Sequence, residues 1–301
     1  MRHSLFIYDS DERLVEAIAP FLRGGLAAKR GRAVTVVDGR KWALFADALG
    51  PDADETLHVD RDAFYTRPEA ALAGYDGMLR RAVRDGARAI RVFGELPRCE
   101  TDAQSNLWLT YEALLNRAFD HHPVWVICGY DTREVAEPLL DGALDTHPEM
   151  LREDWDPSPH YHEPEDVVQS RTPTPEPLAG LQELPVNGDG PRAFRLALSA
   201  ELEAAAVPEI DAWRMLVAAE EVLANAQEYG GGTPRVQVGR VGDRFVCEVA
   251  DEGPGIDDPL AGFLPPRPGH REGAGLWVAR QLTRQLEVVP SARGARVRLS
   301  V

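Results

Sequence analysis

The chain has 301 residues, 44% of them apolar and 27% charged, with 33 basic against 49 acidic side chains and a formal net charge of −16. That length suggests two domains at roughly 100–200 residues each, and the apolar share supports packed cores rather than wholesale disorder. The acidic balance argues against direct nucleic-acid binding, which needs a basic surface, although backbone amides and a metal ion can still hold the phosphates of a nucleotide. No window approaches the ~20 apolar residues that span a bilayer, so no membrane partner is expected. Cys99, Cys128 and Cys247 lie far apart without a CxxC pair, which reads as reduced thiols in a cytoplasmic protein.

Residues 4–8 (Ser4-Leu-Phe-Ile-Tyr8) form a short apolar run and predict a strand. Asp9-Ser10-Asp11 supplies capping side chains, and Leu14, Ile18, Phe21 and Leu22 repeat at helical spacing. Gly24-Gly25 and Gly31 are expected to end that helix. Residues 33–37, 89–94 and 124–128 are further β-branched or apolar runs, separated by helical patterns near 68–85 and 105–120. Near-continuous apolar strands alternating with helices predict a three-layer α/β domain with a parallel sheet.

Residues 157–190 are rich in proline and charge and poor in large apolar groups, which predicts an interdomain linker. Beyond it, Ala193–Leu198 alternates as a strand, and Pro208–Tyr229 is one long helical pattern. Residues 235–241 and 244–250 read as a hairpin around Gly242-Asp243. A Gly/Pro-rich stretch covers 251–275, a second helix 276–286, and two closing strands 286–289 and 295–301. Hairpin strands with helices in separate blocks predict an α+β two-layer sandwich.

Three features of this second half suit one ligand. On the long helix, Glu221 and Asn225 are four apart, so they share a face, and the face opposite carries Leu216, Ala219, Leu223 and Ala226. A carboxylate and an amide placed together could activate a hydroxyl and hold Mg²⁺ through oxygen. Asp251-Glu-Gly253-Pro-Gly255 follows a strand directly; its carboxylate could accept a hydrogen bond from an exocyclic amine such as that of adenine. Gly273-Ala-Gly275-Leu276 opens a helix, whose unpaired amides suit phosphate. Taken singly, each feature has a plainer reading: a solvated pair, a tight acidic turn, a capped loop.

In this order and spacing, ExxxN, DxGxG and GxGL resemble the boxes of the GHKL ATPases, which include gyrase, MutL-type and histidine-kinase ATP-binding domains. The resemblance covers about residues 190–301 and implies a Bergerat-type fold with ATP between the long helix and a lid (256–272) over a mixed sheet. It implies Glu221 as general base and Asn225 as Mg²⁺ ligand. It also implies Asp251 as the adenine-reading acid, Gly253 and Gly255 beside the adenine, and Gly273, Gly275 and Leu276 at the phosphate end. Within the family, Asn225-Ala-Gln-Glu-Tyr229-Gly230 is most similar to the NAxxHG of bacterial anti-sigma-factor serine kinases, with Tyr229 in place of the histidine. That subtype implies a sigma factor or an anti-sigma antagonist as partner, and a homodimer through the sheet. Tyr229, and a second acid at Glu220, also fit a nucleotide-binding interaction module without phosphotransfer. A sensor histidine kinase is the third reading; it needs a phospho-accepting histidine on a helical hairpin, and His160 and His162 lack heptad flanks.

The first half has no GxxxxGK[ST]. His3-Ser-Leu-Phe-Ile-Tyr8, Pro20-Phe21-Leu22-Arg-Gly-Gly25-Leu26, Arg91-Val-Phe-Gly94-Glu95, Tyr111-Glu112-Ala-Leu-Leu115-Asn116 and Ile127-Cys128-Gly-Tyr130-Asp131 together resemble the MEDS sensory domain of bacterial regulators. The likeness implies a RecA-like α/β fold and a small-molecule or redox signal, over a domain placed at 1–156. The family often has a cysteine two residues after the histidine, where this chain has Leu5. His3, Tyr8, Glu95, Glu112, Cys128, Tyr130 and Asp131 are the candidate sensing groups, near strand ends where such sheets bind ligands. His121, His122, His147, His160 and His162 have no metal-ligand spacing of a known kind and read as surface histidines.

Overall fold

Each apolar run expected as a strand in the first 150 residues is one. In the computed structural model the chain divides into two units, residues 1–171 and 172–301. The structure describes every residue except 153, 173, 176, 177, 187–189, 267–273, 290 and 292. The first unit runs β1 (Arg2–Tyr8), α1 (Asp11–Ala27), β2 (Gly31–Val37), α2 (Gly39–Leu49), β3 (Thr56–Asp60), α3 (Arg61–Phe64), α4 (Pro68–Arg84), β4 (Ala89–Glu95), α5 (Asp102–Ala118), β5 (Val124–Asp131), α6 (Glu137–Thr146), β6 (Glu149–Leu151), β7 (Trp155–Pro157) and α7 (Pro164–Arg171). The sheet order is β3-β2-β4-β5-β1-β6-β7. All pairs are parallel except β6 with β7.

Helices cover both faces. Phe6, Tyr8, Val37, Phe93 and Ile127 pack with Leu14, Ile18 and Leu22 of α1 and Phe45 of α2. On the other face, His3 of β1 and Cys128 of β5 meet Glu112 of α5. The helix α1 is capped by the Ser10 hydroxyl, which accepts from the Arg13 amide. It runs through Gly24-Gly25 to Ala27 rather than ending there. These glycines serve close packing: a Cβ on Gly25 would lie 2.9 Å from the Arg32 carbonyl and 3.1 Å from Arg91 Cβ.

The stretch expected as a linker is structured at both ends. Val167 and Val168 of α7 are buried. Arg117 of α5 donates to Glu163 and Glu165, each at 3.0 Å, and Arg171 donates to Asp145 at 3.0 Å and Asn106 at 2.9 Å. The first unit therefore extends to Arg171, beyond the expected end at 156. Two valines and three charged anchors hold a helix too short and polar to be seen as a core element from composition.

The second unit runs β8 (Gln182–Leu184), α8 (Gly190–Ala204), α9 (Glu209–Tyr229), β9 (Arg235–Val241), β10 (Arg244–Ala250), α10 (Ala274–Leu282), β11 (Gln285–Val288) and β12 (Arg296–Ser300). Its sheet, ordered β11-β12-β10-β9-β8, is antiparallel at every pairing among the described strands, not mixed. The strand expected at 193–198 is part of α8. Phe194, Leu198 and Leu202 are buried at helical spacing while Leu196 is 63% exposed, and six residues are too few to tell the two periods apart. The helix expected over 276–286 starts at Ala274 and stops at Leu282, which frees Leu286 for β11. Side chains of α8, α9 and α10 share one core with the inner face of the sheet, including Met215, Leu223, Phe245, Cys247 and Leu299. Among the described residues, no helix is long and apolar enough to cross a membrane.

Candidate functional site

The inner stripe of α9 is Met215, Ala218, Ala219, Val222, Leu223 and Ala226. Burying that stripe against the sheet leaves Glu221 and Asn225 half-buried along the helix edge. Both side chains reach the first turn of α10. A Cβ added to Gly275 would sit 2.9 Å from Asn225 Nδ2 and 3.1 Å from Glu221 Oε2. The carboxylate and the amide therefore stand together at the end of α10 where backbone amides have no helical partner. Gly275 lets them come that close. Glu220 is engaged elsewhere, in an ion pair with Arg195 of α8.

Asp251 sits where β10 ends. Its Oδ1 accepts from the Gly253 amide at 2.8 Å and the Ala295 amide at 3.1 Å, and its own amide donates to the Ala295 carbonyl at 2.9 Å. Two glycines crowd it, and a third crowds one of these. A Cβ on Gly230 would lie 2.6 Å from Asp251 Cβ, one on Gly294 2.1 Å from the Asp251 carbonyl oxygen, and one on Gly253 2.7 Å from the Gly230 Cα. Gly255 has φ +91°, the left-handed region that favours glycine. The plainer reading of DxGxG, a tight acidic turn, is thus physically present, and it engages Oδ1 of the carboxylate. Leu276 turns into the core and packs against Gly262. Gly273 lies outside the described residues, as does 267–272 of the expected lid.

The seven candidate sensing residues of the first unit separate into two clusters on opposite faces of one sheet. Tyr8, Glu95 and Asp131 lie at the carboxyl ends of β1, β4 and β5, on the face of α1 and α2. Lys41 of α2 joins them: its Nζ is 2.7 Å from Glu95 Oε2 and 3.4 Å from Asp131 Oδ2, and its side chain is 1% exposed. The Tyr8 hydroxyl donates to Glu95. Burial pushes the Glu95 carboxyl up, against the pull of Lys41, and burial likewise pushes the Tyr8 hydroxyl up. A cleft lined by Lys41, Arg61, Glu95, Arg98, Asp131 and Glu134 opens here.

Asp131 behaves differently from Glu95. Burial would raise it, but the Arg133 guanidinium grips both its oxygens, at 2.8 and 2.7 Å, and holds its carboxyl down at about 2. A carboxyl depressed on folding stabilises above its ordinary value of 3.8 and loses that contribution as pH falls towards about 2. Asp131→Asn is expected to flatten the acid limb of the first unit's stability over this window. Equal acid slopes for variant and parent, read by hydrogen exchange of β5, would contradict this.

His3, Glu112, Cys128 and Tyr130 form the other cluster, on the face of α5. The Cys128 thiol donates to Glu112 Oε2 at 3.2 Å, His3 Nε2 is 3.2 Å from the same oxygen, and the Tyr130 hydroxyl donates to Glu112 Oε1 at 3.4 Å. His147 completes it, fully buried rather than on the surface, with Nε2 3.6 Å from Glu112 Oε2. His122 is buried too, whereas His160 and His162 are exposed in the turn before α7. Lys41 and His147 are the residues that sequence reasoning did not place in either cluster. Their partners are 54 and 35 residues away, and no local motif marks them.

The first unit is thus a mostly parallel sheet with one polar cluster at its carboxyl strand ends and another beneath α5, and the second an antiparallel sheet whose helix α9 sets an acid–amide pair against the first turn of α10. Residues 2–148 match the family model of the MEDS domain, the MEthanogen/methylotroph, DcmR Sensory domain, and residues 189–301 match that of the histidine kinase-like ATPase domain. The chain carries these two domains in that order. No curated protein matches it.

Proposed function

We propose that the chain is a cytoplasmic signalling regulator whose second domain binds Mg-ATP under the control of the first, a RecA-like sensory domain. The supporting observation is the meeting of Glu221 and Asn225 at Gly275 in the first turn of α10. Carboxylate and amide oxygens suit a hard cation such as Mg²⁺, which would neutralise phosphate charge, and Asn225 is its proposed ligand. Asp251 Oδ2 would accept from the adenine amine, with Gly253 and Gly255 beside the ring. The amides at Gly275 and Leu276 would face phosphate; Gly273, which the resemblance adds to them, lies outside the described residues.

On this reading Glu221 would take the proton of an attacking serine hydroxyl as its oxygen bonds the γ-phosphorus of ATP, the bond from that phosphorus to the bridging oxygen breaks, and ADP leaves. The output is capture of a sigma factor, phosphorylation of an anti-sigma antagonist, or both, by a homodimer paired through its sheets. The departure at Tyr229, exposed at the end of α9, favours a second reading in which nucleotide is bound and no phosphate is transferred.

Calorimetry with Mg-ATP tests the shared premise. Asn225→Ala and Asp251→Ala are each expected to weaken binding about tenfold or more, a loss of about 1.4 kcal/mol or above. Wild-type protein that binds no nucleotide, or variants that bind as well as wild type, would overturn it.

A further inference from the structure

We propose that His3, Glu112, Cys128 and His147 form a binding site for a borderline-soft divalent transition metal, zinc foremost. Among the described residues these four make up the one group of metal-type donors, all buried, with their ligand atoms within 4.8 Å of one another. The inference stands apart from the nucleotide reading, because it concerns the first unit alone.

Both histidines are held in the tautomer that a metal needs. The Asn116 amide nitrogen donates to the Ala113 carbonyl at 3.2 Å and to the Thr146 carbonyl at 2.9 Å, so its oxygen faces His3. His3 Nδ1 lies 3.1 Å from that oxygen and must donate to it. The proton of neutral His3 is then on Nδ1, and the Nε2 lone pair points at Glu112 Oε2, 3.2 Å away, and Cys128 Sγ, 3.3 Å away. His147 repeats the pattern. Its Nδ1 lies 2.8 Å from the Ala143 carbonyl, while Nε2 is fully buried with no hydrogen-bond partner among the described residues. Fixing one ring nitrogen by a carbonyl so that the other faces the metal is how protein zinc sites orient their histidines.

Two imidazole lone pairs facing one carboxylate repel unless a proton or a metal ion lies between them. The spacing fits an ion there. Bonds of about 2.0–2.3 Å to zinc set tetrahedral edges of about 3.3–3.8 Å between donors. The separations are 3.2, 3.3, 3.6 and 3.2 Å for His3–Glu112, His3–Cys128, His147–Glu112 and Cys128–Glu112, and all four donor atoms lie within 4.8 Å of one another. One sulfur, two nitrogens and one carboxylate oxygen are a zinc-type donor set. With four protein donors the sphere is closed, so the ion would tie β1, α5, β5 and the segment between α6 and β6 together. An open cleft of about 430 Å³, lined by Met1, His3, Asn116, Glu149, Trp155 and Tyr161, gives a way in beside His3.

The test uses the full chain. Elemental analysis after exposure to Zn²⁺ and desalting is expected to give one zinc per chain, and Co²⁺ a thiolate charge-transfer band. Cys128→Ser should abolish the band, His147→Gln should remove stoichiometric binding, and Cys99→Ser should change neither. Zinc-edge X-ray absorption of the wild type, which needs no variant to fold, should show one sulfur among nitrogen and oxygen neighbours. No stoichiometric metal, a coordination sphere without sulfur, or a band that survives Cys128→Ser would overturn the site.

Discussion

Lys41→Met is expected to destabilise the first unit by about 3–5 kcal/mol at neutral pH, the usual cost of removing one member of a buried ion pair. The ammonium is 2.7 Å from Glu95 and 3.4 Å from Asp131, and its side chain is 1% exposed. Asp131 keeps Arg133, so it stays charged. Glu95 keeps the Tyr8 hydroxyl and the charge of Arg61, which do not replace the direct ammonium contact, and its carboxyl, already pushed up by burial, rises further. In the variant the folded chain then binds a proton that the unfolded chain has released. A group raised on folding adds stability below its unfolded value and loses it as pH climbs through the folded one. The deficit should therefore be smaller near about pH 5 than near about pH 8. Hydrogen exchange of β4 and β5 under denaturant, at both pH values, reads this directly. A loss below about 1 kcal/mol, or one independent of pH, would mean that Lys41 is not the counter-charge of this cluster.

The second large effect concerns the proposed phosphotransfer. Glu221→Gln is expected to slow transfer from ATP by about 10²–10⁴-fold, the range that a positioned general base supplies. Mg-ATP affinity should change only a few-fold, because the amide keeps the shape and Asn225 is untouched. Glu220→Gln is the internal control: it breaks the pair with Arg195 on α8, away from Asn225, and should leave transfer nearly intact. An acceptor protein that gains phosphate equally from wild type and Glu221→Gln would remove the base. Equal losses in both variants would point instead to a disturbed helix.

Much of this architecture is legible in the chain, and the gaps have physical causes. Buried parallel strands announce themselves as apolar runs because water reaches neither face. The sorting of the sensing residues is also in the sequence, as strand parity. Tyr8 shares its face with Phe6, and Asp131 with Ile127, while His3 and Leu5, and Cys128 and Tyr130, point the other way. Lys41 was invisible for the opposite reason. A lysine at the start of an amphipathic helix reads as solvated, and only the tertiary fold brings a carboxylate from β4 over it. His147 sat among histidines with no common spacing, since the residues it meets come from β1, α5 and β5. In the second unit, ExxxN and DxGxG fall on α9 and the end of β10, yet Phe194–Leu198 misled because one and a half turns cannot reveal their period. Val167 and Val168 were too sparse a signal among prolines and acids to mark α7.

The strand order has a consequence for biosynthesis. β1 is the first strand made, and its hydrogen-bonded neighbours are β5 and β6, so Leu5 pairs with Cys128 and Met150. The ribosome must therefore release more than a hundred further residues before β1 can be paired on either edge. At about 5–20 residues per second that wait is roughly 6–25 s. β2, β3 and β4, by contrast, pair only with one another until β5 arrives. A nascent chain paused short of β5 would hold a three-stranded nucleus and an apolar β1 with unmet backbone groups. That first strand is the segment a trigger-type chaperone would be expected to shield.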